Sequence, residues 1–280
     1  MKRLIALEQA VKPICGAASK SIHFPSVHEL SSIIHWQEVN HMHQTNKKGS
    51  RVLITGGAHG IGSAVAERCR EDGYEVIVFD REGEDSVHCD LSDLESTRAA
   101  LETVLEEGPI TRLVNNVGAV FPNTLENQSI DEFDAAMRIN LRSAFLCSQA
   151  LVPGMKSKGF GRIVSLSSRA SLGKEARSAY SASKAGLIGM TRTWALELGR
   201  HGITCNTVAP GPIATKLFNH ANPESAPRTT EIINSIPVQR MGTPEDVAHT
   251  VSYFLDNRSG FVTGQTAYVC GGLSVGVAHV

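Results

Sequence analysis

Tyr180 and Lys184 are the residues of this sequence best placed to do chemistry, four positions apart in the segment Tyr-Ser-Ala-Ser-Lys. On an α-helix this spacing brings two side chains to one face, which sets the Lys184 ammonium beside the Tyr180 phenol. A phenol with a pKa of about 10 is half-ionised at neutral pH only with roughly 4 kcal/mol of help, part of which a nearby cation supplies. The pair therefore predicts a tyrosine that works as a general acid and base. Taken alone, it is also typical of a surface tyrosine covered by a lysine.

Two serines, Ser167 and Ser168, follow an apolar run that ends at residue 166. If this run is a strand of a parallel sheet, the two hydroxyls lie at its carboxyl edge, where open α/β sheets bind their ligands. We expect Ser168 to hold a substrate oxygen near Tyr180. The alternative is a turn serine that hydrogen-bonds its own backbone.

A glycine-rich turn joins the first apolar run to a helical pattern. Its sequence over residues 55–62 is Thr-Gly-Gly-Ala-His-Gly-Ile-Gly, which spaces Gly56, Gly60 and Gly62 as Gly-x₃-Gly-x-Gly. Glycines let the backbone approach a ligand, and a helix N-terminus offers free N–H groups to a pyrophosphate. The turn therefore predicts a dinucleotide site that includes His59 and Ile61; a tight turn without a ligand is the alternative.

Asp80 ends the second predicted strand, eighteen residues after Gly62. A carboxylate at this place accepts hydrogen bonds from the ribose hydroxyls of an adenosine and repels a 2′-phosphate. We therefore expect NAD as the cofactor. NADP is the alternative, because Arg81 or His59 could pair with the extra phosphate. Asp90 either contacts the adenine or caps the next helix, for which Ser92 is the predicted N-cap.

Apolar runs alternate with helical patterns from residue 50 onward. Strands are predicted at 51–55, 75–79, 113–115, 162–166 and 203–208, and helices at 61–70 and 180–199. Short, continuously apolar strands that alternate with helices indicate a parallel sheet buried on both faces. The predicted fold is thus an α/β doubly wound parallel sheet, a Rossmann fold, in one domain over residues 50–280. Residues 1–49 hold five of the 11 histidines and show no sustained period. We expect them to form a poorly structured, dispensable extension.

The composition excludes several classes of protein. The net charge is −1 and aromatic residues make up 5%, which gives no support to nucleic-acid or anionic-membrane binding. We expect a cytoplasmic protein that spans no membrane, since no apolar run approaches the roughly 20 residues of a membrane span. The six cysteines are scattered, so we expect reduced thiols and no metal site.

From about residue 50 to 275 the chain resembles the short-chain dehydrogenase/reductase family, in its compact single-domain branch. The motifs that carry the resemblance occur together and in order: Thr-Gly-x₃-Gly-x-Gly at 55–62, Asn-Asn-Val-Gly at 115–118, Asn140, Ser168, Tyr180-x₃-Lys184 and Pro210-Gly211. The resemblance implies hydride transfer between a nicotinamide and a secondary alcohol or ketone. It also implies a catalytic tetrad of Asn140, Ser168, Tyr180 and Lys184. In addition, it implies cofactor contacts from Asn116, Gly118, Pro210, Gly211, Ile213 and Thr215, with Tyr180 and Lys184.

Some questions stay open at this stage. The spacing from Ser168 to Tyr180 is one residue shorter than is usual in the family, which leaves Ser167 as an alternative to Ser168. The substrate is either a 3-oxoacyl group or a small cyclic alcohol or dihydrodiol. A non-catalytic dinucleotide sensor is the alternative to an enzyme. The helix near residues 185–198 is apolar on more than one face, and family members pair it with the helix near 133–151. We therefore expect a homotetramer or a homodimer.

Overall fold

A computed structural model describes residues 49–223 and 225–275 of the protein. The predicted N-terminal extension lies outside these residues, apart from Gly49, and so does Cys15. The statements below concern the described residues.

The strands form one seven-stranded sheet in which every neighbouring pair is parallel. In chain order they are β1 Arg51–Thr55, β2 Glu75–Asp80, β3 Val87–His88, β4 Arg112–Asn115, β5 Gly161–Leu166, β6 Ile203–Pro210 and β7 Thr266–Val269. Their order across the sheet is β3-β2-β1-β4-β5-β6-β7. This order reverses direction between β1 and β4, so a crevice opens there at the carboxyl edge of the sheet. The predicted doubly wound fold is confirmed.

Eight α-helices are described along with the sheet. They are α1 Gly60–Glu71, α2 Leu94–Glu106, α3 Ile130–Met137, α4 Ser143–Lys158, α5 Ser178–Leu198, α6 Lys216–Ala221, α7 Pro227–Ser235 and α8 Pro244–Leu255. A π-helical turn, Arg138–Arg142, connects α3 to α4, and a 3₁₀ turn, Arg169–Leu172, follows β5.

The continuous apolar runs are explained by a core on each face of the sheet. Val52 and Ile54 of β1 point into the cluster packed against α1 and α8, whereas Leu53 points into the cluster packed against α2 and α4. Since successive strand residues face opposite sides, both sides of each central strand must be apolar. All residues of β1, β4, β5 and β6 are buried. The core thereby fixes the strand ends that carry the predicted site.

Some local predictions were wrong. Asp93, and not Ser92, is the N-cap of α2, because its side chain accepts a hydrogen bond from the N–H of Ser96. The helix predicted near residues 133–151 is continuous, but it is widened by the π-helical turn at Arg138–Arg142. The five described cysteines are free and buried. No helix of the described residues has both the length and the apolar character needed to cross a bilayer.

Candidate active site

The glycine-rich turn between β1 and α1 is packed so closely that side chains cannot replace its glycines. A Cβ atom on Gly62 would lie 2.1 Å from the carbonyl oxygen of Gly56, and one on Gly56 would lie 2.9 Å from the Cα of Val117. Gly60 has a φ of 56°, in the left-handed region that glycine adopts without strain. Bare backbone therefore surrounds the N-terminus of α1.

The N-terminus of α1 is open to an anion. His59 is its N-cap but makes no side-chain capping bond, and the first turn contains no acidic residue. Its first N–H groups therefore remain available, with the partial positive charge of the helix end. Ile61 packs against the apolar core below the turn and fixes the start of the helix.

Asn116 holds the turn in place from the neighbouring strand. Its side-chain amide donates to the carbonyl oxygens of Thr55 at 3.0 Å and Gly56 at 2.7 Å. The Thr55 hydroxyl accepts in return from the backbone N–H groups of Asn116 and Val117. The Asn116 side chain thus shapes the phosphate turn, whereas the family resemblance implied a place beside the adenosine.

The Asp80 carboxylate lies against the same turn. Its Oδ2 accepts from the N–H of Ala58 at 3.0 Å, and its Oδ1 accepts from the N–H of Arg81 at 2.7 Å. Beside it, Nε2 of His59 lies 2.9 Å from Oε2 of Glu82, and both of these side chains are exposed. Two carboxylates therefore border this end of the crevice, and His59 already has an acidic partner.

Asp90 is engaged in a local turn. Its Oδ1 accepts from the backbone N–H of Ser92 at 2.9 Å and from the Ser92 hydroxyl at 2.7 Å. These bonds lower the pKa of Asp90. One oxygen of Asp90 is therefore used in the turn that precedes α2, whereas the cap of that helix is Asp93.

Ser168 and Tyr180 meet at the carboxyl end of β5. The Ser168 hydroxyl oxygen accepts from the N–H of Ala170 at 3.1 Å, and the hydroxyl lowers the pKa of the neighbouring Tyr180 phenol. Ser167 points the other way, where its buried hydroxyl donates to the carbonyl of Lys184 at 2.7 Å. Of the two candidates, Ser168 is therefore the serine that faces Tyr180.

Lys184 is buried one helical turn beyond Tyr180. Its Nζ lies 5.7 Å from the centroid of the Tyr180 ring and donates to the carbonyl of Leu166 at 2.6 Å. Burial lowers the pKa of Lys184 to about 8, because the charged form loses its hydration. The predicted pairing on one helix face is present.

The pKa of Tyr180 departs from the sequence-based argument. Burial raises it, and this effect exceeds the lowering by the Ser168 hydrogen bond and by the positive charge of Arg177. The stabilisation of the ionised phenol that the sequence analysis expected in part from Lys184 does not offset the effect of burial. A further positive charge in the crevice would be needed to bring the pKa of Tyr180 below its ordinary value.

Asn140 lies in the π-helical turn and links the two halves of the site. Its side chain donates to the carbonyl of Ala119 and to the Ser183 hydroxyl, and accepts from the N–H of Ala119 at 2.7 Å. A Cβ atom on Gly118 would lie 3.2 Å from both Oδ1 of Asn140 and Nζ of Lys184. Gly118 therefore sits directly over the Asn140–Lys184 pair, and π-turns of this kind are frequent at functional sites.

The segment after β6 closes the other side of the crevice. The N–H of Gly211 donates to Val269, while Pro212 and Ala214 share backbone bonds with Gly242. Thr215 is the N-cap of α6, and its methyl group would lie 3.4 Å from a Cβ on Gly60. Pro210 and Ile213 are buried in this segment. The two predicted cofactor segments therefore meet across the crevice.

These residues fit a nicotinamide dinucleotide. The uncapped start of α1, the close-packed glycines and the Asp80 carboxylate suit a pyrophosphate and an adenosine ribose. Pro210 and the following segment run along the end of the crevice near Tyr180 and Lys184. No cluster of metal-binding side chains occurs among residues 49–223 and 225–275.

Comparison with known proteins agrees with this geometry. Residues 56–274 match the family described as enoyl-(acyl carrier protein) reductase. The chain belongs to the short-chain dehydrogenase/reductase family. It is 37% identical over 241 residues to the (2S)-[(R)-hydroxy(phenyl)methyl]succinyl-CoA dehydrogenase subunit BbsD of Thauera aromatica, covering 80% of this chain and 96% of that protein. It is 33% identical over 243 residues to the 3-oxoacyl-[acyl-carrier-protein] reductase FabG of Vibrio harveyi, covering 81% and 98%. The ligand-free aldohexose dehydrogenase of Thermoplasma acidophilum superposes with a TM-score of 0.78 at 31% identity, covering 84% and 98%.

As a short-chain dehydrogenase/reductase, the chain is an NAD(P)-dependent oxidoreductase that acts on CH–OH and C=O groups and resembles the 3-oxoacyl reductases. The prediction from the sequence is confirmed in this respect, and the protein is an enzyme rather than a sensor.

The site of this short-chain dehydrogenase/reductase also contains groups that sequence reasoning missed. The carbonyl of Leu166 holds the lysine, and the hydroxyl of Ser183 and the backbone of Ala119 hold the asparagine. Backbone carbonyls leave no trace in residue types. Ser183 lies inside the Tyr-Ser-Ala-Ser-Lys segment, so its closeness to Lys184 was the only available signal.

Proposed function

We propose that Tyr180 is the general acid and base of this oxidoreductase and that Ser168 holds the reacting oxygen. The observation that carries the proposal is the contact between the Ser168 hydroxyl and the Tyr180 phenol, with the buried Lys184 one turn away. The Ser168 oxygen already accepts a bond from Ala170, so its proton can be donated to a substrate oxygen in place of the Tyr180 phenol.

In the reductive direction, Tyr180 gives its proton to the carbonyl oxygen as the substrate becomes an alcohol. When bound, the nicotinamide cofactor supplies the hydride that goes to the carbonyl carbon. Tyr180 then recovers a proton from the side of Lys184, whose ammonium titrates near the working pH. Asn140 positions this path by fixing the backbone at Ala119 and the hydroxyl of Ser183. Oxidation follows the same route in reverse.

We also propose which residues bind the cofactor. Gly56, His59, Gly60, Ile61 and Gly62 form the pyrophosphate turn, and Asp80 accepts from the adenosine ribose. Asn116 braces this turn, Asp90 contacts the adenine, and Gly118 lies between the two sides of the cofactor, over Asn140 and Lys184. Tyr180, Lys184, Pro210, Gly211, Ile213 and Thr215 form the nicotinamide side.

NAD is the proposed cofactor rather than NADP. A 2′-phosphate beside Asp80 would meet that carboxylate and also Glu82, and would have to displace His59 from Glu82. Arg81 is exposed at the same place, but it is a single cation against two carboxylates. Since like charges in a partly closed site repel, the two carboxylates disfavour the 2′-phosphate of NADP.

A 3-oxoacyl thioester, or the corresponding 3-hydroxyacyl thioester, is the proposed substrate class. The names of the Thauera and Vibrio relatives describe a hydroxyl or oxo group on the carbon beta to an acyl carbon. A cyclic polyol or dihydrodiol remains the competing class, since the structural relative is an aldohexose dehydrogenase.

One set of rate measurements tests these proposals. Acetoacetyl-CoA, cyclohexanol, a dihydrodiol and glucose are offered to the wild type with both nicotinamide cofactors, in reduced or oxidised form as each substrate requires. We expect turnover of the thioester, with kcat/KM at least tenfold higher for NADH than for NADPH. Tyr180→Phe should lower kcat/KM by about 10²–10⁴, because the acid/base group is lost. Tyr253→Phe, at an exposed tyrosine, is the control and should match the wild type. Equal rates for Tyr180→Phe and wild type would remove Tyr180 from the reaction.

The assembly and location are further proposals. A homotetramer or homodimer would cover apolar side chains exposed on α4 and α5, such as Phe145 and Leu196. A cytoplasmic location agrees with the free thiols of the described residues, because reducing compartments keep cysteines unpaired.

A further inference from the structure

Four cations form a basic rim beside the proposed reaction site: Arg169, Lys174, Arg177 and Arg228. Three of them belong to the connection between β5 and α5, and Arg228 comes from α7, which follows the nicotinamide segment. The pKa of Lys174 responds to the other three cations. Desolvation lowers the pKa of Lys174, and the charges of Arg177, Arg169 and Arg228 lower it further.

The basic rim faces the proposed catalytic residues. Arg169 directly follows Ser168, and Arg177 lies one helical turn before Tyr180. Arg177 is the N-cap of α5, three residues before Tyr180, and its positive charge lowers the pKa of the Tyr180 phenol. A substrate held by Ser168 and Tyr180 therefore extends toward these cations.

The loop that carries the rim is held in a fixed shape. The N–H of Asn123 donates to the carbonyl of Ala176 at 3.1 Å, and Asn123 pairs with Arg177 in a short parallel bridge. Nη1 of Arg177 donates to the same carbonyl at 2.8 Å. Ala176 has a φ of 54°, a conformation that costs free energy for a residue with a Cβ and that occurs most often at functional sites. The loop backbone and the Arg177 guanidinium are thus positioned before any ligand binds.

Positive charge predominates at the rim. Among the ion pairs formed between residues that the structure describes, none includes a rim cation, although Glu175 lies between Lys174 and Ala176 in the same loop. The start of α5 adds to the positive field, since Arg177 is its N-cap, makes no capping bond there, and no acidic residue follows in the first turn. This excess of positive charge favours the binding of an anion.

We propose that the basic rim binds an anionic group of the substrate, a carboxylate or a phosphate ester, and thereby selects acidic substrates. The inference rests on the proposed function, because it assumes that the substrate lies against Ser168 and Tyr180. Arg177 and Lys174 hold the anion from the fixed loop, and Arg228 reaches it from α7. Guanidinium groups suit this task because they donate two parallel hydrogen bonds to an oxyanion.

Equilibrium binding tests the rim without any turnover. Malonate and inorganic phosphate are titrated into the full-length protein by calorimetry, at low and at high salt. We expect binding by the wild type that weakens with salt, and a loss of at least tenfold in affinity for Lys174→Gln and for Arg228→Gln. Arg192→Gln, at an exposed arginine farther along α5, is the matched control and should bind like the wild type. Tyr180→Phe should also bind like the wild type.

Kinetics distinguish the two sources of the anion. If the anion is a carboxylate, the ratio of kcat/KM for acetoacetate over its methyl ester falls at least tenfold in Lys174→Gln and Arg228→Gln. If the anion is instead a phosphate in the thiol part of the thioester, the ratio of kcat/KM for acetoacetyl-CoA over that for the acetoacetyl thioester of N-acetylcysteamine falls in these variants. Circular dichroism spectra of all variants establish that they are folded.

The outcomes separate this inference from the proposed function. Turnover of ketones by the wild type, together with malonate and phosphate affinities that are absent or equal in wild type and rim variants, overturns the basic rim and leaves the oxidoreductase. Rim-dependent binding without turnover of any ketone overturns the proposed reaction and leaves the rim.

Discussion

Burial of the Lys184 ammonium costs free energy of folding, and the proposed reaction accounts for this cost. Its ammonium is buried beside Tyr180 and has a carbonyl, but no carboxylate, as its described hydrogen-bond partner. Because burial lowers the pKa of Lys184 to about 8, its charged and neutral forms are both populated near that pH. A proton can therefore leave and return at little cost, which is what a relay to Tyr180 requires.

This cost predicts a pH dependence of stability. The pKa of Lys184 is about 8 in the folded chain and near 10.5 when unfolded, so the unfolded chain binds more protons between these values. We expect the free energy of unfolding to gain up to about 3 kcal/mol from Lys184 as the pH rises from 8 to 10.5. Below pH 8 this gain is absent.

Urea unfolding of the chain without cofactor measures this gain. Buried cysteines and Tyr180 titrate in the same range with the opposite sign, so the informative quantity is the difference between wild type and Lys184→Met. A difference that stays constant from pH 7.5 to 10.5 would contradict the prediction.

The two adjacent serines give a second prediction at this scale. Ser168→Ala removes the hydroxyl that faces Tyr180 and should lower kcat at least a hundredfold, with little effect on stability. Ser167→Ala removes a buried side-chain hydrogen bond to the carbonyl of Lys184, which should cost about 0.5–1.5 kcal/mol of unfolding free energy. Steady-state rates and urea unfolding of both variants check this; a larger loss of kcat in Ser167→Ala would reverse the assignment.

The proposed site residues were selected from residue types and spacing, which do not give their electrostatics. Tyr180, Lys184 and Ser168 were predicted to lie together because helix period and strand-end position follow from sequence. The raised pKa of Tyr180 was not foreseen, since it depends on how deeply the phenol is buried. The use of Asn116 to brace the phosphate turn was missed for a similar reason: it depends on a neighbouring strand sixty residues away in sequence.

At the scale of elements, the turn between β1 and α1 shows how backbone packing constrains composition. Gly62→Ala would place a Cβ 2.1 Å from a carbonyl oxygen, a contact that only a backbone shift can relieve. We expect a loss of several kcal/mol in unfolding free energy and loss of NADH binding, measured by urea unfolding and by nucleotide fluorescence. Gly199→Ala is the control: Gly199 has helical angles and open space around it, so it should be neutral or slightly stabilising. Wild-type NADH affinity in Gly62→Ala would refute this account of the turn.

The π-helical turn between α3 and α4 marks the limit of element prediction. The hydrophobic pattern over residues 133–151 suits one helix, and the helical path of the chain does continue through the turn. One extra residue per turn is tolerated there because Asn140 gains bonds to Ala119 and Ser183. Those partners are distant in sequence, so no local pattern indicates the widening. Propensity likewise did not reveal β7, which is only partly buried at the sheet edge.

For the whole molecule, one property of the sheet assembles the site. All neighbouring strands are parallel, so the ends of β1, β2, β4, β5 and β6 lie at one edge. The glycine turn, Asp80, Ser168 and Pro210 follow four of these ends and therefore converge, although they span more than a hundred residues. This is why the sequence sufficed for the location of the site: strand ends and parallel order are enough to bring the groups together.

The exposed apolar side chains of α4 and α5 lead to a prediction about the assembly state. Phe145 on α4 is 42% exposed and Leu196 on α5 is 87% exposed, on the two helices that the sequence analysis expected to pair between subunits. Burying them in a second copy gains roughly 25 cal/mol per Å² of apolar surface, and a closed symmetric interface repeats the gain. Light scattering at micromolar protein should give two or four times the mass of the chain. Phe145→Glu should lower that mass, whereas Leu125→Glu, at an exposed leucine of the loop before α3, should leave it unchanged. A monomeric wild type would show that these faces remain open to solvent.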